Sequence, residues 1–387
     1  MNVNIGFLGD DPIENVITFM HHKIEKAVFF GYFDAIGNYR TAIERFLVKN
    51  CGVEKVVFIP LSQKNLQNNL DRMREEIELE KSQGANLFFD ITAGENLSIF
   101  AFGMLAKQYN SPVHFYDVWK NNLIELDEGS ELNISTDVPK QKVKINLDKL
   151  IALRGGKINY NLHKNVKNIT DAAFKSDVDK IWDVAVKFHD RWNSFSNFLN
   201  EFLITEDEIE VYREAVEVDP ELLKNRGKMN SPEALVQILN ALKKKGLIKD
   251  LVCDGICYRF SFKSPEVKGC LTEGGSVLEL RTYMNEADNS SDCRVGVHID
   301  WDGIIHPEPG SDVLNEIDVL SLNGCIPTFI SCKSGKMSPN AALYALYELD
   351  TVARRFGGKY AKKVLVTVNP LLGTYRERAE ELGIELR

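Results

Sequence analysis

An aspartate and a lysine lie on neighbouring apolar segments of the C-terminal third: Asp318 in NEIDVLSLNG and Lys333 in PTFISCKSGK. The Asn323-Gly324 pair between them is typical of a tight turn, which predicts an antiparallel hairpin that brings Asp318 and Lys333 together. Burying an acid and a base in such strands costs free energy unless they pair or bind metal. Metal-assisted phosphodiester cleavage uses carboxylates to hold Mg²⁺ or Mn²⁺ and a positively charged group beside the reacting phosphate. The alternative to a metal site is a cross-strand salt bridge between Asp318 and Lys333 with no catalytic role.

The elements around this hairpin follow a definite order. Periodicity predicts a helix at 274–286, strands at 294–301, 315–322 and 327–334, and a long helix at 340–356. A strand at 363–368, a helix from Tyr375 and a short strand at 384–386 complete it. The predicted order is α-β-β-β-α-β with a final helix and strand, and the acid and the base lie on its middle strands.

In this setting, NEIDVLSLNGCIPTFISCKSGK resembles the catalytic hairpin of the PD-(D/E)xK restriction-endonuclease superfamily. The resemblance implies that Asp318 binds the metal and that Ser331-Cys332-Lys333 takes the (D/E)xK position. Ser331 stands where an acid is usual, so another carboxylate has to complete the site. Glu279 on the preceding predicted helix is favoured as the second metal ligand.

Glu316 is the other strong candidate for the missing acid, because residues two apart on a strand share a face and Asp318 is two residues away. Asp300 and Asp302 are weaker candidates. A basic cluster beyond the hairpin could follow a phosphate backbone beside the metal site, or be an ordinary solvated patch. It consists of Arg354, Arg355, Lys359, Lys362 and Lys363.

The N-terminal part alternates apolar strands with helices. Strands are predicted at 4–8, 26–30, 55–60, 86–90 and 113–116, and helices at 39–49, 66–81 and 96–108, with a further helix opened by Asp10-Asp11-Pro12. This pattern predicts a largely parallel sheet covered on both faces. Such sheets bind ligands at the carboxyl ends of their strands.

Two loops follow strands at that edge, DITAGEN at 90–96 and Gly9-Asp10-Asp11-Pro12. Small residues at a helix N-terminus let backbone N–H groups approach an anion. Neither a Walker loop nor GxGxxG occurs. Together the loops resemble those of the CARF (CRISPR-associated Rossmann) fold, over about residues 1–118, which bind cyclic oligoadenylate. The resemblance makes ligand-site candidates of Gly9, Asp10, Thr92, Ala93, Gly94, Glu95 and Asn96.

The middle of the chain, 164–251, is predicted to be mostly helical, with an aromatic-rich part at 182–203 that suits a core or dimer-facing helix. Ser231-Pro232 opens a helix, and a hairpin turning at Asp254-Gly255 follows it. A helix and a hairpin outline a winged helix at 231–262, which is either a connecting module or a DNA reader. The polar stretch 121–144 is predicted to be a hairpin or linker.

A CARF domain followed by a PD-(D/E)xK domain resembles the ancillary nucleases of type III CRISPR antiviral defence. The expected fold is α/β, with a Rossmann-like CARF domain at 1–145, a helical and winged-helix-like connector at 146–265 and a restriction-endonuclease-like core at 266–387. The resemblance implies a homodimer that binds cyclic tetra-adenylate across its interface and, with Mg²⁺ or Mn²⁺, cuts single-stranded RNA or DNA or nicks supercoiled duplex DNA. A ligand-responsive, DNA-binding transcription regulator and a nuclease-like domain kept only for binding are the alternatives.

Composition excludes several other classes. The 387 residues have a formal net charge of −9, which argues against a protein that coats nucleic acid, and 44% hydrophobic residues, which is ordinary for a globular protein. No apolar run reaches the roughly 18 residues of a membrane span, and the N-terminus lacks the basic region of a signal peptide. Seven scattered cysteines without a CxxC motif argue against disulfides and structural zinc, so a reducing cytoplasm is expected.

Overall fold

A computed structural model describes residues 1–62, 65–126, 144–162, 172–206, 213–217, 232–253, 257–273, 275–306 and 312–387. Three sheets organise them, two of six strands and one of four. Among these residues, no helix has both the length and the apolar character needed to cross a bilayer. The cysteine side chains that can be described are all free thiols.

The N-terminal sheet has the strand order β3-β2-β1-β4-β5-β6, and only β6 runs antiparallel to its neighbour. Its strands are β1 (Asn2–Phe7), β2 (Lys26–Tyr32), β3 (Lys55–Leu61), β4 (Asn86–Asp90), β5 (Val113–Asp117) and β6 (Asn122–Leu126). Its helices are α1 (Phe33–Phe46), which continues into a π-helical turn (Leu47–Cys51), α2 (Leu66–Ser82) and α3 (Asn96–Gln108). The predicted parallel α/β sheet is confirmed, and residues 127–143 of the predicted hairpin or linker lie outside the described residues.

The helix predicted to open at Asp10-Asp11-Pro12 is wrong. Residues 10–17 form successive bends and turns, and the only regular element between β1 and β2 is a short 3-10 helix (Thr18–Met20). The side chain of Asp11 accepts a hydrogen bond from the backbone N–H of Ile13 (3.1 Å). Such local bonds compete with helical hydrogen bonding, which explains why an aspartate here gives a turn.

The C-terminal sheet has the order β16-β15-β14-β13-β12-β7. β14, β15 and β16 are parallel, whereas β13 and β12 form antiparallel pairs that continue to the short β7. Its strands are β7 (Lys157–Ile158), β12 (Asp292–Asp300), β13 (Leu314–Asn323), β14 (Ile326–Lys333), β15 (Lys362–Thr367) and β16 (Ile384–Leu386). The helices packed with it are α4 (Leu147–Leu153), α9 (Ser276–Ala287), α10 (Pro339–Gly357) and α11 (Gly373–Glu381), with a 3-10 turn (Gly358–Tyr360) after α10.

Local sequence explains the long helix α10. Ser338 caps it by accepting the N–H of Ala341 (3.3 Å), and Pro339 occupies the first turn, where no N–H is needed. Its buried positions recur at intervals of three and four residues, so one face packs against the sheet. They are Ala342, Ala345, Leu346, Leu349, Val352, Ala353 and Phe356. The helix ends at Gly358, whose φ of +66° suits glycine.

A smaller unit occupies the middle of the chain, with a four-stranded sheet in the order β10-β11-β9-β8. Its strands are β8 (Leu203–Glu206), β9 (Arg213–Glu217), β10 (Ile248–Cys253) and β11 (Cys257–Phe262), and its helices are α5 (Ala172–Lys187), α6 (Trp192–Phe202), α7 (Pro232–Lys244) and α8 (Pro265–Thr272). The predicted helix and hairpin, α7 with β10 and β11, are present; the turn at Asp254-Gly255 lies outside the described residues. The prediction that 164–251 is mostly helical missed β8 and β9, because β9 pairs with β11, which is distant in sequence, and β8 joins the sheet only through β9.

The two six-stranded sheets share one hydrophobic core. A single buried cluster contains Phe29 and Leu47 from the N-terminal sheet region together with Phe329 and Phe356 from the C-terminal one. Trp119 packs edge-on against Tyr360, with ring centroids 5.3 Å apart. The aromatic-rich part of α6 is also core, but of the middle unit. Because the core joins the first and last of the three predicted domains, the domain boundaries 1–145, 146–265 and 266–387 remain predictions.

Candidate functional site

Asp318 lies where β13 and β14 separate. The ladder between these strands ends at Val319–Ile330, and beyond it the Asp318 carboxylate accepts the backbone N–H of Cys332 at 2.5 Å and the hydroxyl of Ser331 at 3.2 Å. Lys333 Nζ is 3.8 Å from the same oxygen, Oδ2. Among the described residues, these contacts all fall on Oδ2, so Oδ1 is the oxygen that can coordinate a cation.

A distortion of β12 accompanies this separation. Gly296, opposite Asp318 in the register, has a φ of +59°, and the pairing skips from Val295–Val319 to Val297–Ile317. The side chains change face there, because Val295 and Val319 pack in one cluster whereas Val297 and Ile317 pack in another. The two-residue alternation that placed Glu316 beside Asp318 therefore does not hold across this point.

Glu279 approaches the hairpin from helix α9. The hydroxyl oxygen of Thr282, one turn further along α9, lies 3.6 Å from the Cys332 sulfur. This contact fixes the same face of α9 against β14. Burial, together with the negative charges of Asp318 and Glu279, raises the pKa of the Cys332 thiol to about 12. Glu279 is 8% exposed, so its carboxylate is held near the hairpin in a dry setting.

The other candidate acids have different surroundings. Glu316 is exposed and lies 3.8 Å from the ring of His298 on β12. Asp300 accepts the backbone N–H groups of Gly303 (2.7 Å) and Ile304 (3.1 Å), and Asp302 also accepts that of Ile304 (2.8 Å). Asp300 and Asp302 thus shape the turn after β12, and neither has a described contact with Asp318.

The basic cluster is not beside Asp318 and Lys333, which corrects the sequence-based interpretation. Lys362 pairs with Thr328 near the start of β14, about 17 Å along the strand from Lys333 at roughly 3.3 Å per residue. Most of the cluster lines a groove of about 1400 Å³ between the two large sheets. The register of parallel β15 on β14 separates these basic residues from the predicted metal site. The groove includes Arg45, Arg154, Lys157, Arg354, Arg355, Lys359 and Lys363.

The loop after β4 is built around Asp90. Its buried carboxylate accepts the backbone N–H of Thr92 (2.9 Å) and the hydroxyl of Thr18. Burial raises the pKa of Asp90, and these hydrogen bonds oppose the rise. The hydroxyl of Thr92 accepts the backbone N–H of Tyr116 (2.9 Å), so Thr92 fastens the loop to β5. Thr92 holds the shape of the loop with its side chain.

The rest of the loop leads into α3. Gly94 has a φ of +129°, and a side chain there would lie 3.2 Å from Phe7 Cβ, so glycine is needed. Glu95 precedes the helix without capping it, and its carboxylate accepts the hydroxyl of Tyr32 instead. Burial, with the Glu95 contact, raises the pKa of Tyr32 to about 12. Asn96 is exposed and begins α3, so the first helical N–H groups lie at the edge of the loop.

The loop after β1 adjoins this one. A Cβ added to Gly9 would be 2.9 Å from that of Ala93, so the two loops touch at the carboxyl edge of the sheet as predicted. Asp10 is exposed, and its carbonyl accepts the hydroxyl of Tyr39 (2.9 Å). Gly9, Asp10, Ala93, Gly94, Glu95 and Asn96 therefore form one contiguous surface.

Sequence reasoning missed the network beneath that surface. Asp11 Oδ1 accepts Arg154 Nη2 at 2.5 Å, and Asp11 Oδ2 accepts the backbone N–H of Lys359 at 3.2 Å. Glu14 accepts the hydroxyl of Tyr360 (2.5 Å), and burial raises the pKa of Glu14. Three segments that are distant in sequence meet here. The only sign of this contact in the sequence is a second acid, Asp11, next to Asp10.

The fold is a known one. Over its whole length the chain superposes on protein VC1899 from Vibrio cholerae (TM-score 0.73, 17% identity, 93% of that chain). It also superposes, again over its whole length, on Can2 from Sulfobacillus thermosulfidooxidans, solved in complex with cyclic tetra-adenylate (TM-score 0.63, 16% identity, 93% of that chain). A type III CRISPR defence DNA nuclease activated by cyclic oligoadenylate aligns with 99% of this chain and 50% of its own (TM-score 0.50, 14% identity).

These likenesses confirm the predicted fold class, a Rossmann-like sheet joined to a nuclease-type α/β core, and the resemblance at the level of the fold. No protein-family model and no curated protein matches the sequence. At these identities the likeness concerns the architecture, so activity has to be argued from the residues.

Proposed function

We propose that the chain is a metal-dependent nuclease controlled by a cyclic oligoadenylate, with Asp318, Glu279 and Lys333 as its active residues. The observation that carries the proposal is their convergence at the end of β14. Asp318 is 14% exposed and 3.8 Å from Lys333, and Glu279 acts electrostatically on the cysteine between them in the hairpin. Acids and a base gathered where two strands separate favour a reaction site over a salt bridge in a closed sheet.

The donor set fits Mg²⁺ or Mn²⁺. Asp318 offers Oδ1, Glu279 offers a buried carboxylate, and both ions prefer such hard oxygen ligands. Bound there, the ion would supply charge neutralisation at a phosphate and a more acidic water. Ser331, at the position of the usual acid, donates to Asp318 Oδ2 and so orients the carboxylate. Glu316 stays the second choice for the remaining acid.

Lys333 serves the phosphate side of the reaction. Its ammonium is partly exposed at the mouth of the site, with Asp318 as its described acidic neighbour. A phosphodiester that enters the site would meet this cation first. Lys333 would then hold the developing negative charge on phosphate oxygens, as a fixed cation does in phosphoryl-transfer sites.

The contiguous surface of the two N-terminal loops is proposed to bind the cyclic oligoadenylate, in keeping with the cyclic tetra-adenylate in Can2. The N–H groups at the start of α3 suit a phosphate. The hydrogen bond from Tyr32 holds the Glu95 carboxylate at the loop edge, where it can accept from an adenine amino group or a ribose hydroxyl.

The same edge carries an apolar face, which we assign to a second copy of the chain. Leu97, Phe100 and Met104 project from one side of α3 at intervals of three and four residues, and Phe100 is 67% exposed. Phe33, which begins α1 next to Tyr32, is exposed as well. A two-fold pairing of this face would bring two copies of the loop surface together around one symmetric ring. Sedimentation of the purified chain measures this association.

A cleavage assay tests the proposal. Wild-type chain is incubated with single-stranded RNA, single-stranded DNA and supercoiled plasmid in Mn²⁺, with and without cyclic tetra-adenylate. Cutting that depends on the ring is expected, and Asp318→Asn and Lys333→Ala should each lower its rate by about a hundredfold or more, since each tenfold is about 1.4 kcal/mol of lost transition-state stabilisation. Asp288→Asn and Lys336→Ala, exposed residues of the same types nearby, are the controls.

The variants Glu279→Gln and Glu316→Gln identify the acid that binds the metal together with Asp318. The substitution that lowers the cleavage rate more marks the ligand. Ring-stimulated cutting that survives both Asp318→Asn and Lys333→Ala would move the active site elsewhere. Specific binding to duplex DNA without any cutting would favour the transcription regulator, with α7, β10 and β11 as its reader. Nucleic-acid binding without cutting or sequence preference would favour a domain kept only for binding.

A further inference from the structure

Two histidines and a glutamate meet on the N-terminal sheet, far in sequence from Asp318. His22 follows the 3-10 helix Thr18–Met20, His114 lies in β5, and Glu125 lies directly opposite His114 in β6. His22 Nε2 is 3.0 Å and His114 Nδ1 is 3.2 Å from the same carboxylate oxygen of Glu125. All three potential ligand atoms lie within 4.8 Å of one another.

These separations match those around a transition-metal ion. In a tetrahedral zinc site with bonds of about 2.0–2.1 Å, neighbouring ligand atoms are about 3.3 Å apart. The nitrogen-to-oxygen distances of 3.0 and 3.2 Å are close to that value. The three side chains therefore already lie close to the positions that an ion would impose.

Hydrogen bonds within the chain do not explain why the imidazole ring of His114 is buried. Its side chain is 3% exposed, yet its Nε2 has no hydrogen-bond partner among the described residues, and its Nδ1 contact with Glu125 lacks hydrogen-bond geometry. The ring stacks on Phe88 at 5.4 Å and lies 4.4 Å from the ring of His22. A buried polar ring without hydrogen bonds carries a desolvation cost, and a bond from Nδ1 to a metal would offset the part of that cost that belongs to Nδ1.

We infer that His22, His114 and Glu125 bind a divalent transition-metal ion, Zn²⁺ being the first candidate, with water completing the coordination. Imidazole ligands select zinc-like ions, whereas the carboxylates at Asp318 suit Mg²⁺ or Mn²⁺. The ion would join the segment after the 3-10 helix to the outer strands β5 and β6. His114 also pairs with Asp90, so the site would brace the strand that ends in the loop at 90–96.

Zn²⁺ binding to the full-length, chelator-treated chain tests the inference. Equilibrium dialysis is expected to give one tightly held Zn²⁺ per chain, and Co²⁺ in its place should show the visible absorption bands of a tetrahedral site. His22→Gln and Glu125→Gln, both at partly exposed positions, should each weaken Zn²⁺ binding by about tenfold or more. His189→Gln, an exposed histidine on the turn after α5, is the matched control and should bind as wild type does.

Asp318→Asn separates this site from the proposed nuclease centre. Zn²⁺ retained in Asp318→Asn but lost in His22→Gln and Glu125→Gln supports the inference, whatever the cleavage assay shows. Unchanged Zn²⁺ binding in both His22→Gln and Glu125→Gln overturns it, as does loss of the ion in Asp318→Asn alone. The circular dichroism of each variant establishes that a lost ion does not reflect a lost fold.

Discussion

Two aspartates in this molecule each lie against a cation, and their surroundings differ. Asp11 is 1% exposed, and its two oxygens receive Arg154 Nη2 and two backbone N–H groups. Asp318 is 14% exposed, its described contacts fall on one oxygen, and Lys333 stays 3.8 Å away. The first arrangement uses both acceptor atoms of the carboxylate, whereas the second leaves one for a ligand.

The comparison sets a structural ion pair against the pair that we propose to be reactive. A buried pair is costly to break because the surviving charge has no water to solvate it. A pair at the surface of a site contributes little to stability and can exchange partners. By this criterion Asp11 holds the sheets together, and Asp318 is available for chemistry.

Removing the two carboxylates should show the largest difference. Asp11→Ala leaves the Arg154 guanidinium buried without its partner and should lower the free energy of unfolding by about 3–5 kcal/mol. Asp318→Ala removes a partly exposed acceptor and should cost no more than about 1.5 kcal/mol. Urea unfolding followed by fluorescence measures both. Equal losses would remove the distinction between the two aspartates.

A smaller effect is expected from adding an acid to the open site. Ser331→Asp places a second carboxylate beside Asp318, so affinity for Mn²⁺ should rise by about tenfold, or about 1.4 kcal/mol. Isothermal titration with Mn²⁺ measures it, with Ser334→Asp, on the residue after Lys333, as the matched control. A response to Ser334→Asp as large as that to Ser331→Asp would mean that added negative charge alone attracts the ion.

The smallest effect concerns pH. Because burial raises the pKa of Asp90 above its ordinary value of 3.8, stability from this group is present below that value and is lost as pH rises through the raised folded value. Asp90→Asn, whose amide can donate to Thr18, should remove that part of the decline at a cost within about 1 kcal/mol at neutral pH. Urea midpoints across the acid range compare the variant with wild type. If the stability of wild type and of Asp90→Asn declines in parallel with rising pH, the decline belongs to another titrating group.

Local pattern was enough to predict much of the fold. Helix α3 begins and ends at the predicted residues, and β16 spans the predicted 384–386, because periodicity and flanking turn residues define both. The strands β8 and β9 are only four and five residues long; β9 pairs with β11, and β8 joins the sheet through β9. Non-local pairing of this kind leaves little trace in the sequence.

The site was predictable where a hairpin fixes it. Asp318 and Lys333 meet as the turn between their strands predicted. Arg154 and Asp11 are 143 positions apart in the sequence, and only the packing of the two sheets brings them together. The basic cluster at the end of α10 and after it was assigned to the wrong end of β14, because strand register, and not order along the chain, decides which end it occupies.

The shared core has a consequence for signalling. Separating the two large sheets would expose side chains such as Phe329 and Phe356, at about 1.5–3 kcal/mol for each, and would break the Asp11–Arg154 pair. A hinge within one chain is therefore costly, and the N-terminal and C-terminal sheet regions should unfold in a single transition and move as a rigid body. In the function that we propose, a bound ring would therefore act chiefly by changing how one whole chain is oriented against a second copy.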